Sequence, residues 1–171
     1  MSGRVMQYGN LRISLPEGWS DATQVVATGP SEQGFRSSLA VSAEAARPRE
    51  TVAEYAARIL GVLSKATEQF ELLAERAATF GNISGFVREY THLARGVKLA
   101  QIQFYVLRDG MAHTFTYTQR AERLQLSRHT AERLFASVNL APASASAAPS
   151  APVMRARARY VEPRFRRIIA A

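Results

Sequence analysis

The sequence predicts an α+β domain: a mainly antiparallel sheet of about six or seven strands with two principal helices packed on it. Three observations predict this. Short segments of alternating apolar and polar residues recur through the first part of the chain, bounded by glycine, proline or aspartate. Two other segments, 51–70 and 127–138, carry apolar residues at helical spacing instead. Asp109-Gly110 lies between two alternating runs, which is a strong short-range hairpin signal. Sequential strands joined by tight turns imply antiparallel neighbours. With only two helices, the sheet is expected to be covered on one face and at its edges.

Leu11-Arg12-Ile13-Ser14-Leu15 alternates strictly and is broken by Pro16-Glu17-Gly18. A second short strand, Val25–Thr28, is expected to stop at Gly29-Pro30, and a third runs from Ser38 to Ala43. These three read as an N-terminal meander. Thr51-Val52-Ala53-Glu54 has the form of a capping box, and Val52, Ala56, Ile59, Leu63, Ala66 and Phe70 continue it as one apolar stripe. A helix from Thr51 to about Phe70 is therefore expected. Gly61 lies off the stripe. Strands are expected from Leu72 to Phe80, Ile83 to Leu93, Val97 to Arg108 and Met111 to Thr118. A second amphipathic helix, Ser127 to Val138, turns Ala131, Leu134, Phe135 and Val138 inward.

Beyond Leu140 the composition changes. Residues 141–152 are alanine, proline and serine only, the composition of a linker. Residues 153–171 form a basic tail with Arg155, Arg157, Arg159, Arg164, Arg166 and Arg167 against Glu162. The chain carries a net charge of +8, of which this tail supplies +5. The folded part, 1–140, is thus only mildly basic, and its charge alone does not mark it as a nucleic-acid binder. No apolar run follows Arg4, and no segment approaches the roughly 20 apolar residues that span a bilayer. The expectation is a cytoplasmic protein.

The chemistry of an enzyme is hard to place. There is no cysteine, so thiol nucleophiles, thiolate metal sites and disulfides are excluded. The three histidines, His92, His113 and His129, have no helical i, i+4 pairing. His113 reads as a hydrogen-bonded core or boundary residue rather than a ligand or base. No phosphate-cradling glycine loop, Gly-x-Ser-x-Gly elbow or acidic metal cluster occurs. The reading is a binding protein without catalytic residues, metal or cofactor.

The hairpin is more informative. A two-residue turn at Asp109-Gly110 fixes the register and sorts the side chains onto two faces. One face holds Ile102, Phe104, Val106, Phe115 and Tyr117, the expected core under the helices. The other holds Gln101, Gln103, Tyr105, Leu107, Ala112, Thr114 and Thr116, with no charge in its centre. That second face is either solvated β surface, where threonine is favoured, or a partner-binding interface, where uncharged mixed surface is common.

The stretch Leu11–Asp21, with Leu15-Pro16-Glu17-Gly18-Trp19, resembles the opening of the DcrB and PsbP-like proteins. Thr51-Val52-Ala53-Glu54-Tyr55, Gly85, the long hairpin and Phe135-Ala136-Ser137-Val138 follow in the same order, so the resemblance spans residues 5–140. It implies a Mog/PsbP-like fold, an antiparallel sheet with helices packed against it. The cytoplasmic branch resembles the Eag chaperones of type VI secretion, usually dimers that shelter N-terminal transmembrane helices of effectors. The arginine tail departs from that branch's pattern.

The first reading is therefore a bacterial cytoplasmic chaperone or adaptor, expected as a homodimer, whose client is a hydrophobic segment of a secreted effector. The second is a nucleic-acid or acidic-surface binding module in which the tail meets an acidic partner. The third is an enzyme of this fold. The first expects Tyr105→Asp or Leu107→Asp to abolish client binding with the fold intact. The second expects nucleic-acid affinity to fall with salt at a log–log slope on the order of −4 to −5, measured by anisotropy titration.

Overall fold

The capping box forms as the sequence implies. In the computed structural model, which describes residues 4–8, 11–17 and 23–140, the Glu54 amide donates to the Thr51 hydroxyl at 3.2 Å. The Thr51 amide donates to the Glu54 carboxylate at 2.8 Å. Helix α1 then runs Val52–Ala66. It ends four residues before Phe70, where the apolar stripe suggested. Thr67 turns extended, and its hydroxyl and amide both donate to the Leu63 carbonyl, at 2.6 and 3.0 Å. A strand follows with no intervening loop, and the apolar pattern passes from helix into strand unbroken.

Among the described residues, eight strands accompany α1 and a second helix, α2 (Leu124–Ala136). β1 (Arg4–Tyr8) and β2 (Leu11–Leu15) pair with each other as a separate hairpin. The other six form one antiparallel sheet in the order β3-β4-β8-β7-β6-β5. They are β3 (Gln24–Glu32), β4 (Phe35–Ala45), β5 (Glu68–Phe80), β6 (Ile83–Ala94), β7 (Val97–Arg108) and β8 (Met111–Arg120). The expected three-stranded meander is therefore two hairpins, and only the second joins the main sheet. Gly29-Pro30 does not stop β3. The strand continues through a register shift between Thr28 and Ser31, where proline's missing donor is tolerated on an edge strand. α2 begins three residues before the expected start, preceded by a 3-10 turn at Ala121–Arg123.

The β7–β8 register is the one the two-residue turn demands, from Arg108 opposite Met111 to Gln101 opposite Thr118. Asp109 and Gly110 both take positive φ, as such a turn requires. The placement of the helices differs from expectation. They lie on opposite faces, not one. α2 covers the face with Ile102, Phe104, Val106, Phe115 and Tyr117, adding Leu124, Ala131 and Phe135 to one core. Phe104 meets Phe80 edge-on at 5.0 Å and Phe135 at 5.5 Å. α1 packs on the other face, where Tyr55 and Ala56 bury against Tyr105 and Ala112, with Phe86 and Leu107 beside them. The sheet is thus a middle layer with a core on each side.

Gly85 shows how tightly the α2 side is filled. A Cβ there would lie 2.2 Å from the Tyr105 carbonyl oxygen and 2.6 Å from the Phe104 ring. Gly85→Ala is expected to cost about 1–3 kcal/mol by overpacking. Gly61, in α1 with nothing within 4 Å, is expected to gain about 1 kcal/mol as alanine. Urea denaturation of the two variants checks both signs.

Candidate functional site: an uncharged strip beside α1

Arg88 organises the α1 face. It is fully buried, at 0% exposure, in the middle of β6. Its Nε donates to Glu75 Oε1 at 2.8 Å, its Nη1 to the Tyr105 hydroxyl at 2.8 Å, and its Nη2 to the Ala56 carbonyl of α1 at 2.5 Å. The planar guanidinium suits three acceptors in one plane. Its carbon also lies 5.3 Å from the centre of the Tyr105 ring. The network runs on from there. The Tyr105 hydroxyl donates to Gln103 Oε1, and Gln103 Nε2 donates to Thr116 Oγ1 at 3.3 Å. In the next row Tyr90 donates to Gln101 Oε1, and Gln101 Nε2 donates to Thr118 Oγ1 at 3.0 Å. Tyr55 of α1 meets the Thr114 hydroxyl at 3.2 Å. Burial raises the Tyr90 and Tyr105 hydroxyls well above the ordinary tyrosine value, so both stay protonated donors.

This ladder divides the face that the sequence offered as a partner-binding surface. Tyr105 and Ala112 are both 0% exposed. With Leu107 they form the seat of α1, so these three are not a surface for another molecule. Gln103 is buried beneath the boundary. Gln101, Thr114 and Thr116 remain half-buried at its open side. The expectation that Tyr105→Asp leaves the fold intact is corrected here, because it would put a carboxylate under a helix.

What sequence reasoning missed is how far the open side continues. Register places Thr118, Thr116 and Thr114 of β8 opposite Ser38, Ala40 and Ser42 of β4. These lie opposite Thr28, Val26 and Gln24 of β3. The nine positions form a three-by-three array on the α1 side without a charge. Val26 is 57% exposed. The signal was present in the alternation Ser38-x-Ala40-x-Ser42, small side chains on one face of a strand. At about 4.8 Å between strands, the array is roughly 10–14 Å wide, close to the diameter of an α-helix with its side chains. The threonine hydroxyls that accept from Gln101 and Gln103 keep their own protons for outward donation.

A charged cluster lies at the Glu44 end of β4. Arg58 of α1 donates to Glu50 at 2.8 Å and to Glu44 at 3.3 Å. The Arg58 hydrogen bond, with the Arg47 amide behind it, holds the Glu50 carboxyl at about 2. The histidines do not converge. His92 lies on the α1 side next to Tyr90, at 5.8 Å between rings. His113 is on the α2 side, opposite Val106, and His129 is exposed on α2. Burial lowers the pKa of His92 and of His113. Among the described residues no group of three or more His, Asp or Glu side chains could hold a metal. No helix among them is long and apolar enough to cross a membrane. Gly18, Trp19 and Arg155, Arg157, Arg159, Arg164, Arg166 and Arg167 of the tail lie outside the described residues.

With this geometry in hand, the family follows from a direct match. The DcrB family model matches residues 11–137. The chain belongs to the DcrB family. Among solved structures, this DcrB protein is similar to a Pseudomonas aeruginosa protein of unknown function, PA94. The two are 18% identical with a TM-score of 0.66, over 82% of this chain and 98% of that one, which shows a shared fold. It is also similar, more distantly, to LpqN of Mycobacterium tuberculosis, described as involved in cell envelope biogenesis. That likeness has 11% identity and a TM-score of 0.47, over 71% of this chain and 85% of that one. The cyanobacterial PsbP of Synechocystis sp. PCC 6803 matches at 16% identity and a TM-score of 0.45, over 80% and 92%. No curated protein sequence matches the chain.

Two outcomes follow for this DcrB protein. Tyr105→Asp is expected to destabilise it by about 3 kcal/mol or more, since the new charge is buried against an existing network. Thr116→Asp should stay within about 1 kcal/mol of wild type. Thermal melts of the two separate the seat of α1 from the open strip. The Glu50 contribution has a definite sign. Its folded pKa of about 2 lies below the ordinary 4.5, so its stabilisation is present above pH 4.5 and lost as pH falls towards 2. Denaturant midpoints measured across that window should show a slope that Glu50→Gln flattens.

Proposed function

We propose that this protein is a cytoplasmic chaperone or adaptor that shelters a hydrophobic segment of a secreted effector, seating it on the uncharged strip beside α1. The observation that carries the reading is the array Thr114, Thr116, Thr118, Ser38, Ala40, Ser42, Gln24, Val26 and Thr28. It is about one helix wide and free of charge, and the amides of Gln101 and Gln103 beside it already have partners. An apolar segment can lie on such a surface without leaving a buried charge unpaired. The hydroxyl groups can meet polar atoms of the client where they occur. The type VI effector as client and the homodimer rest on the resemblance to the Eag chaperones.

The test is binding of a labelled apolar single-span helical peptide to the full chain in detergent-free nanodisc exchange. Thr116→Asp and Ala40→Asp, if folded, should each weaken binding by about a hundredfold or more, because each forces a carboxylate into a contact that must shed its water. Unchanged affinity in both folded variants would remove the strip as the site.

A further inference from the structure

The main sheet has two edges, β3 and β5, and only one of them is protected. β5 carries Glu68, Glu71, Glu75 and Arg76 and two register shifts against β6. Charges and bulges are the devices that keep an edge strand from pairing with another chain. β3 has neither over Gln24-Val25-Val26-Ala27-Thr28. Its register shift and Pro30 come after Thr28. Its one charged residue, Glu32, is paired with Arg123 at 2.9 Å. Val25 lies opposite Val41 on the α2 side, and Val26 lies opposite Ala40 on the α1 side. They are 49% and 57% exposed. Among the described residues no strand pairs with the outer side of β3.

These five residues fit a second copy of themselves. In an antiparallel pair, side chains directly opposite each other share a face. A twofold axis sets the same strand against itself. The regular ladder of β3 runs from Gln24 to Thr28, so pairing over its whole length puts the axis at Val26. Val26 then meets Val26 of the second copy, and Val25 meets Ala27 of the second copy. Gln24 meets Thr28 of the second copy, an amide against a hydroxyl, which can hydrogen-bond. No charge faces a like charge. The same operation on β5 would set an edge with three carboxylates and one guanidinium against itself.

We propose that two copies of this chain pair through β3, antiparallel about a twofold axis at Val26, joining their sheets into one. The axis is perpendicular to the sheet, so both α1 faces lie on the same side. The strand order β8-β4-β3 of one copy then continues into β3-β4-β8 of the other. The two uncharged strips become one face, about 24 Å from β8 to β8 at roughly 4.8 Å per strand step, the width of about two helices. Val26 of each copy sits at its centre, and the second copy supplies half of the site. That sharing rests on the strip as the client site, whereas the pairing itself does not.

Val25 and Ala27 face away from the strip, so replacing them leaves its nine residues intact. Val25→Glu with Ala27→Glu sets carboxylate against carboxylate in both cross-copy pairs, and Val25→Lys with Ala27→Lys does the same with cations. Sedimentation of the full chain is expected to show a dimer for wild type. The dimer dissociation constant should rise about a hundredfold or more in either variant alone. Mixing the two variants should restore the dimer, because each glutamate then faces a lysine. The glutamate variant should bind the labelled apolar peptide about tenfold or more weaker than wild type, having lost half of the contact. A wild type that stays monomeric with and without peptide overturns the proposal, and so does a dimer that both variants keep. Failure of the two variants to pair on mixing overturns it as well, since Val25 would not face Ala27. A wild-type dimer that binds no peptide removes the strip as the client site and leaves the pairing in place. A monomeric glutamate variant that binds peptide as tightly as wild type removes the shared site.

Discussion

Arg88 and Glu89 are consecutive in β6, so their side chains leave opposite faces of the sheet. Both are buried, at 0% and 2% exposure. Burying either alone would cost several kcal/mol, so each must be met by a partner on its own side. Arg88 meets Glu75 and reaches the Ala56 carbonyl of α1. Glu89 meets Arg76 at 3.0 Å and Arg128 of α2. Burial pushes the Glu89 carboxyl up, but the hydrogen bonds from Arg128 and Arg76 outweigh it and hold it below the ordinary value. One dipeptide thus fastens one helix to each face, and the three-layer arrangement depends on it.

The functional reading depends on the same constraint. Arg88 lies towards the β5 side of the sheet, so the helix it grips sits over β5, β6 and β7. Beyond Ala112 and Thr114 of β8, which Tyr55 meets, no helix among the described residues covers that face of β8, β4 and β3. The nine positions of the strip carry threonine, serine, alanine, glutamine and valine, with Glu44 of β4 standing at one end of it. The network from Arg88 through Tyr105 and Gln103 ends on Thr116, at the border of the strip. The buried charge that locates α1 is therefore connected, bond by bond, to the surface proposed to receive a client. Fixed amide and hydroxyl groups cost little reorganisation when a partner arrives.

Much of this was legible in the residues. Thr51 and Glu54 announce the start of α1, and Asp109-Gly110 fixes the β7–β8 register to the residue. The placement of α1 was not legible, for a physical reason. Tyr105, Leu107 and Ala112 make an uncharged apolar patch opposite the main core. Pattern alone cannot say whether such a patch is covered by another molecule or by a helix of the same chain. Arg88 gave no warning either, because arginine is almost never fully buried unless paired. Its partner Glu75 is far from it in sequence and meets it only through the β5–β6 register. Phe70 misled at the end of α1, since apolar spacing carries no mark where helix passes directly into strand. The array on β4 and β3 required knowing that β4 pairs with β8, a contact between distant segments.

The central claim is that Arg88 holds α1 and Glu89 holds α2, each separately. Native-state hydrogen exchange of Arg88→Met and Glu89→Gln tests it most directly. In Arg88→Met the α1 amides should lose about 3 kcal/mol or more of protection, the cost of breaking a buried charged network, while the α2 amides change far less. In Glu89→Gln the pattern should reverse, with α2 released and α1 retained. Loss of protection in α1 no larger than that in α2 when Arg88 is replaced would contradict the account.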